Sequence, residues 1–317
     1  MNLKSIAQKF SDSETARDFL ESQRWPDGTV CPFCGLLEEA YRLKPKATSK
    51  APVRPGVWKC GGCRKQFTVT VGTIFEDSHI PLNTWLMAIH LLCSSKKGMS
   101  AHQLHRMLGI TYKSAWFMAH RIRYAISKES IFLTGTVEID ETYIGGKKRA
   151  GAHATKPGER PKDRKSSVDN KAPVVALVQR DGSVRSQYIE RVTADNLRPI
   201  IKRTVDADAQ VMTDTSFALK GALMGRTHFQ INHTAEEFVR YEGELCVTTN
   251  AVEGYFGLLK RGINGIYHHV GRQHLHRYLC EFDFRYNTRK VTDGERSIAL
   301  IKRVSGKRLM YKETKPN

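Results

Sequence analysis

Two Cys-x-x-C pairs, Cys31-Pro-Phe-Cys34 and Cys60-Gly-Gly-Cys63, stand 26 positions apart, counted from Cys34 to Cys60. Four thiolates in two close pairs are what a closed tetrahedral Zn²⁺ site requires. The two-residue spacer turns both sulfurs of a pair toward one ion, and a glycine after Cys34 permits the tight backbone. Short strands at 41–43, 57–59 and 66–71 around a polar loop make residues 26–75 a zinc ribbon. A module this small has too little core to fold alone, so one structural Zn²⁺ supplies much of its stability, on the order of 10 kcal/mol. The other three of the seven cysteines, Cys93, Cys246 and Cys280, have apolar surroundings and read as packed. An odd number of cysteines in a chain without an export signal argues against a disulfide framework.

The charge narrows the partner. Lys+Arg 51 against Asp+Glu 32 leaves a formal +19 on 317 residues, and such an excess costs self-repulsion that an anionic partner relieves, the commonest being the nucleic-acid backbone. A hydrophobic share of 40% is that of a globular chain. No stretch approaches the ~20 apolar residues of a membrane span, and the opening MNLKSIAQKF lacks the apolar run of a signal peptide. The expectation is a soluble cytoplasmic protein with no membrane contact.

Residues 1–25 read as a helical segment, and residues 80–128 as a helix-turn-helix that lies on DNA. An apolar helical pattern runs over 82–92; a second helix covers 100–108, Gly109 turns the chain, and a third covers 111–126, with Ser100 and Thr111 as N-caps. In the last helix Ala115, Met118 or Ala119, and Ile122 form the inner stripe. Lys113, His120, Arg121, Arg123 and Tyr124 are then left for the outer, groove-facing surface.

The segment TVEIDETYI at 136–144 is a β-branched run in which Val137 and Ile139 alternate with Glu138 and Asp140. A carboxylate on a central strand is expensive unless something cationic meets it. Two more strands follow at 173–179 and 183–189, joined by the hairpin signal Arg180-Asp181-Gly182, then a helix over 194–205 and a strand over 210–213 that ends at Asp214. A helix beginning at Asn250 puts Asn250, Glu253, Gly257 and Lys260 on one face. The order β-β-β-α-β-α suggests an α/β (mixed α+β) fold with an RNase H-like sheet over residues 133–295. Carboxylates from two strands and a helix can converge to hold two Mg²⁺ or Mn²⁺ ions, which activate an attacking oxygen on one side of a phosphorus and stabilise the leaving oxygen on the other. Asp140 would bridge the ions, Asp214 and Glu253 would complete their shells, and Asn250 would add an oxygen or orient a ligand.

Four motifs carry a resemblance: VEIDETYIGGKKR at 137–149, TDTSFALKG at 213–221, INHTAEEF at 231–238 and TTNAVEGYFGLLKRGINGIYHH at 248–269. Together with the ribbon and helix-turn-helix they resemble bacterial insertion-sequence transposases of the DDE type, in the ISXO-like group with an N-terminal zinc ribbon, over roughly residues 15–295. The resemblance implies an RNase H-like catalytic domain that cleaves DNA strands at transposon ends with divalent metal and transfers the freed 3′-hydroxyl to target DNA. It also implies terminal inverted repeats bound by the N-terminal modules, and at least a homodimer on DNA, in the nucleoid of a bacterial cytoplasm. Asp140 and Asp214 carry over onto the first two acidic positions. For the third, Asn250, Glu253 and Lys260 are all available; Glu253 is the better metal ligand because a carboxylate binds Mg²⁺ far better than an ammonium, which leaves Lys260 for a phosphate. Further DNA contacts are expected from Lys147 and Lys148 in a basic insertion, 147–171, with nine basic and three acidic residues, and from Arg261 and His268. Residues 296–317 read as a basic tail. Two other functions fit parts of the pattern: a catalytically inactive zinc-ribbon DNA-binding regulator, and a plain RNase H-like nuclease.

Overall fold

The computed structural model describes residues 3–44, 53–126, 131–145 and 171–314. By its internal contacts the chain divides into two units: residues 1–127 together with 288–317, and residues 128–287.

The first unit opens with α1 (Leu3–Lys9) and α2 (Ser13–Arg24). Asp12 caps α2 by accepting the amides of Glu14 and Thr15, both at 2.8 Å, and Ala16 and Leu20 are its buried stripe. A three-stranded antiparallel sheet follows, β1 (Ala40–Arg42), β2 (Trp58–Cys60) and β3 (Gln66–Phe67), in the order β1-β2-β3. The ribbon is fastened to the end of α2 by aromatic edges: the Trp25 ring lies 6.0 Å from that of Trp58 and 5.9 Å from that of Phe67. Then come α3 (Leu82–Ser94), α4 (Ala101–Leu108) and α5 (Tyr112–Ile126). Ser100 caps α4, and Gly109 at φ +64° makes the turn into α5, a backbone conformation that only glycine adopts cheaply. The described residues from 288 onward, read from the sequence as the end of the catalytic domain and a basic tail, belong to this unit. Their helix Asp293–Ile301 sets Ser297 against buried His90, with Oγ 3.1 Å from Nδ1, while Arg296 donates to the Cys93 carbonyl at 2.7 Å. Val304 and Leu309 beyond it are buried.

The second unit is a five-stranded mixed sheet. Its strands are β4 (Thr136–Ile144), β5 (Ala172–Gln179), β6 (Val184–Tyr188), β7 (Gln210–Asp214) and β8 (His228–Ile231), in the order β6-β5-β4-β7-β8. The β4, β5 and β6 strands are antiparallel neighbours, whereas β7 and β8 run parallel to β4. Asp181, at φ +53°, forms the tight β5–β6 turn. One sheet face buries Val137, Ile139, Leu177 and Val211 under α6 (Ala194–Thr204) and α7 (Phe217–Ala222). A hairpin of β9 (Arg240–Glu242) and β10 (Leu245–Val247) leads to α8 (Asn250–Gly262), and α9 (Arg272–Asn287) closes the unit. The other face buries Val174, Ala176 and Val178 under Val252, Tyr255, Leu259, Leu279 and Phe282 of these two helices. Covered on both sides, β5 reads as the continuous apolar run that a central strand needs. The architecture is the mixed α/β, RNase H-like one expected from the order of elements, with an added edge strand, β8, that the sequence pattern did not signal.

Candidate functional site

The ribbon brings its four cysteines together. Cys31 Sγ lies 3.7 Å from Cys63 Sγ and Cys34 Sγ 3.6 Å from Cys60 Sγ, and all four sulfurs lie within 4.8 Å of one another. Four sulfurs at ~2.3 Å around a tetrahedral Zn²⁺ stand roughly 3.8 Å apart, so the set fits that ion. Each knuckle closes on its first cysteine: the Gly35 amide donates to the Cys31 carbonyl at 2.9 Å and the Arg64 amide to that of Cys60 at 3.1 Å. Gly35 has φ +75°, and the equivalent place in the second knuckle holds Arg64 at φ +61°. Burial opposes ionisation of Cys31, but the amides of Phe33 and Cys34 and the neighbouring thiols outweigh it and bring its thiol down to about 7. Cys34 is pushed up to about 12: the Leu36 amide favours its thiolate, but burial and the three other sulfurs together prevail.

In the second unit the register decides which carboxylates can meet. Glu138 and Asp140 stand opposite Val178 and Ala176 of β5, so they belong to the face covered by α8 and α9. On β7, Met212 pairs with Glu138, and Asp214 follows two residues later on that same face. Glu141, one residue beyond Asp140, starts on the opposite face. The β4–β7 ladder ends at the Glu138–Met212 pair, whereas the β4–β5 ladder continues through Glu141, opposite Val175. The carboxylate oxygens of Asp140, Glu141 and Asp214 lie within 4.8 Å of one another. The Glu141 amide donates to Asp140 Oδ1 at 2.7 Å, the Ser216 amide to Asp214 Oδ1 at 2.9 Å, and Ser216 Oγ to Glu141 Oε1 at 3.5 Å. Glu141 Oε2 is buried without a hydrogen-bond partner.

Burial and neighbouring negative charge oppose the ionisation of Asp140 and Glu141. Asp140 is raised to about 6 by burial, against the Glu141 amide, with the charges of Asp214 and Glu253 adding to the rise. Glu141 is raised to about 7 by burial and then by Asp140 and Asp214. An oxygen-only donor set with a buried unpartnered oxygen suits a hard divalent cation such as Mg²⁺ or Mn²⁺.

Glu253 stands apart from this group of three. It projects from the first turn of α8 with its side chain 48% exposed, accepts from Thr249 Oγ1 at 2.8 Å, and lies 3.3 Å from His233 Nε2. Its charge still reaches Asp140. Asn250, Lys260 and Arg261 are exposed on the same helix, and His268 is exposed at φ +58° just beyond it.

The DNA-facing surface expected on α5 needs correction. Lys113 is exposed, with its ammonium 4.9 Å over the Tyr311 ring, but Arg121 and Arg123 are only 4% and 2% exposed, and His120 is buried with them. Arg121 donates to the carbonyls of Leu309 at 3.1 Å and Glu76 at 2.8 Å. The chain end packs over that side of α5, so this guanidinium holds the unit together. Arg277 and Arg285 of α9 are likewise buried, Arg285 paired with Glu281. Lys147, Lys148 and all of the basic insertion except Lys171 lie outside the described residues. Glu141, His233 and Arg180 had no role in the sequence reading of the site. Strict alternation sends Glu141 away from Asp140, and the other two join only through tertiary contacts.

Residues 132–287 match the family model described as an ISXO2-like transposase domain, ending where the second unit ends, and residues 11–66 match the one described as a transposase zinc-ribbon domain. An uncharacterized protein in transposable element ISH50 of Halobacterium salinarum is 24% identical over 290 residues, covering 87% of this chain and 91% of that protein. No solved structure matches the chain. Among the described residues, no helix is long and apolar enough to cross a membrane.

Proposed function

The chain belongs to the ISXO2-like transposase family, and from that premise we propose that it binds the terminal inverted repeats of its element and carries out divalent-metal-dependent strand cleavage and strand transfer. The observation that carries the chemistry is the meeting of Asp140, Glu141 and Asp214 within 4.8 Å, beside the first turn of α8. Asp140 and Asp214 would hold the metal, Glu253 would supply the third position from α8, and Glu141 stands ready as a further oxygen donor. When bound, a pair of such ions activates the attacking water or 3′-hydroxyl and stabilises the leaving oxygen. Lys260 and Arg261, exposed along α8, meet the phosphates that flank the scissile bond. Asn250, exposed at the start of that helix, would add an amide oxygen or orient one of the carboxylates that hold the metal. Phe217, 90% exposed three residues after Asp214, offers a ring on which an unpaired base can stack.

The zinc ribbon and the α4–α5 pair serve end recognition, with Lys113 at the exposed start of α5 meeting the backbone. Two ends must be brought together for transfer, which makes a homodimer or larger assembly on DNA the working form. The test is Asp140→Ala with a duplex bearing an element end and Mg²⁺. The variant should retain the gel shift and lose both cleavage and strand transfer; cleavage at the wild-type rate would remove Asp140 from the chemistry.

A further inference from the structure

Glu138 is 0% exposed, although it stands on β4 two residues before Asp140 and on the same face. The strand ladder does not need its carboxylate, so the partners of that carboxylate reveal its role. Oε1 accepts from Arg180 Nε at 2.8 Å. Oε2 accepts from the amides of Ala251 at 2.7 Å and Val252 at 3.1 Å, in the first turn of α8. The first amides of a helix have no partner within it and are normally taken by the side chain just before it. Here Thr249, which holds that place, makes no capping bond and donates to Glu253 instead. The cap of α8 is therefore a carboxylate 113 positions earlier in the chain, whose negative charge suits a helix N-terminus.

Arg180, from the turn after β5, extends the same junction. It donates to the carbonyls of Cys246 at 2.6 Å and Thr248 at 3.3 Å, which lead into α8, and its Nη2 lies 2.9 Å from Met212 Sδ on β7. One carboxylate and one guanidinium thus touch the strand of Asp140, the strand of Asp214 and the segment that presents Asn250 and Glu253. We infer that Glu138 and Arg180 are positioning residues, a buried brace that sets the register of α8 against β4 and β7 and so places Glu253 relative to Asp140 and Asp214. The inference rests on the reading of those carboxylates as metal-holding. A brace of this kind acts as the outer partners of metal ligands do, whose loss weakens metal binding about 10–100-fold.

The test is Mn²⁺ binding by calorimetry on the full chain, with amide hydrogen exchange at Ala251 and Val252, in four proteins: wild type, Asp140→Ala, Glu138→Gln and the double variant Glu138→Leu with Arg180→Met. Glu138→Gln turns one acceptor oxygen into an NH₂ donor facing other donors. The double variant replaces the ion pair by apolar groups, a change that folds often tolerate, while leaving the α8 amides without their acceptor. Both should bind Mn²⁺ at least about 10-fold more weakly than wild type and exchange the two amides faster, with end binding unchanged. If Glu138→Gln does not fold, the double variant decides alone. Wild-type Mn²⁺ affinity in the folded double variant would reduce the pair to a stabilising contact and overturn the inference. Wild-type affinity in Asp140→Ala would instead sink the metal-site reading beneath it.

Discussion

Replacing Asp140 by Asn removes one negative charge from a site that, without metal, holds more of them than its surroundings can neutralise. The size of the effect follows from the ionisation of Asp140, which is raised from 3.8 to about 6, chiefly by burial. At 1.36 kcal/mol for each tenfold change in the proton equilibrium, that corresponds to about 3 kcal/mol. The sign is set by linkage. A carboxyl whose ionisation is raised on folding leaves the folded state fully stable below the unfolded value of 3.8. Stability is then lost as pH rises through the folded value of about 6. Metal-free wild type should therefore lose about 3 kcal/mol between pH 3 and pH 8 through this group, and Asp140→Asn should not. Glu141 gains as well, since Asp140 is among the charges that raise it. For a domain of this size each kcal/mol moves the melting temperature by roughly 2–4 °C, so at pH 8 the variant should melt about 6–12 °C above wild type. The assay is thermal denaturation in EDTA at pH 8 and pH 4.5. The predicted gap is widest at pH 8 and narrows to about 1 kcal/mol, roughly 2–4 °C, at pH 4.5, in a protein that has lost its activity. An Asp140→Asn protein that is less stable than wild type at pH 8, or equally displaced at both pH values, would refute the reasoning.

Chelating zinc, or changing Cys60 to Ser, should unfold the ribbon and abolish end binding, since metal supplies on the order of 10 kcal/mol there; zinc analysis of the purified wild type should find one ion per chain. Lys113→Ala should leave the melting temperature unchanged and reduce the salt dependence of DNA binding by about one contact. Arg121→Ala should instead lower stability by on the order of 2–4 kcal/mol, because the Leu309 and Glu76 carbonyls lose their donor; this is read by denaturant unfolding. Glu253→Ala should slow Mn²⁺-dependent cleavage by more than about 100-fold, beyond the range of an outer partner, whereas normal turnover would transfer the third position to Glu141.

What the sequence made legible was what short-range spacing encodes. The two Cys-x-x-C pairs name their own ligands, the alternation in TVEIDETYI marks a central strand, and the position of Asp214 at the end of β7 follows from QVMT. The third strand of the ribbon was overdrawn: β3 spans Gln66–Phe67, because Thr68 and Thr70 pair hydroxyls in a turn, 2.7 Å apart. Arg121 and Arg123 fell on what helical periodicity marks as the outer face of α5, but periodicity does not tell what covers that face, and the Leu309 carbonyl comes from 188 positions away. Glu141 was hidden by the alternation rule, which gives the face a residue starts on and not how far its side chain reaches past the end of the neighbouring strand β7. A carboxylate on a central strand needs a cation, and at Glu138 Arg180 supplies it across 42 positions, a pairing that no local spacing encodes.

The central claim is that Asp140 and Asp214, distant in the chain, share a divalent metal. Anomalous diffraction from crystals soaked in Mn²⁺ tests it most directly. The account predicts a peak within about 2.0–2.6 Å of carboxylate oxygens from both residues, and its loss in Asp140→Ala crystals treated the same way. Bound Mn²⁺ elsewhere with none at these two carboxylates, at a concentration that supports cleavage, would contradict it.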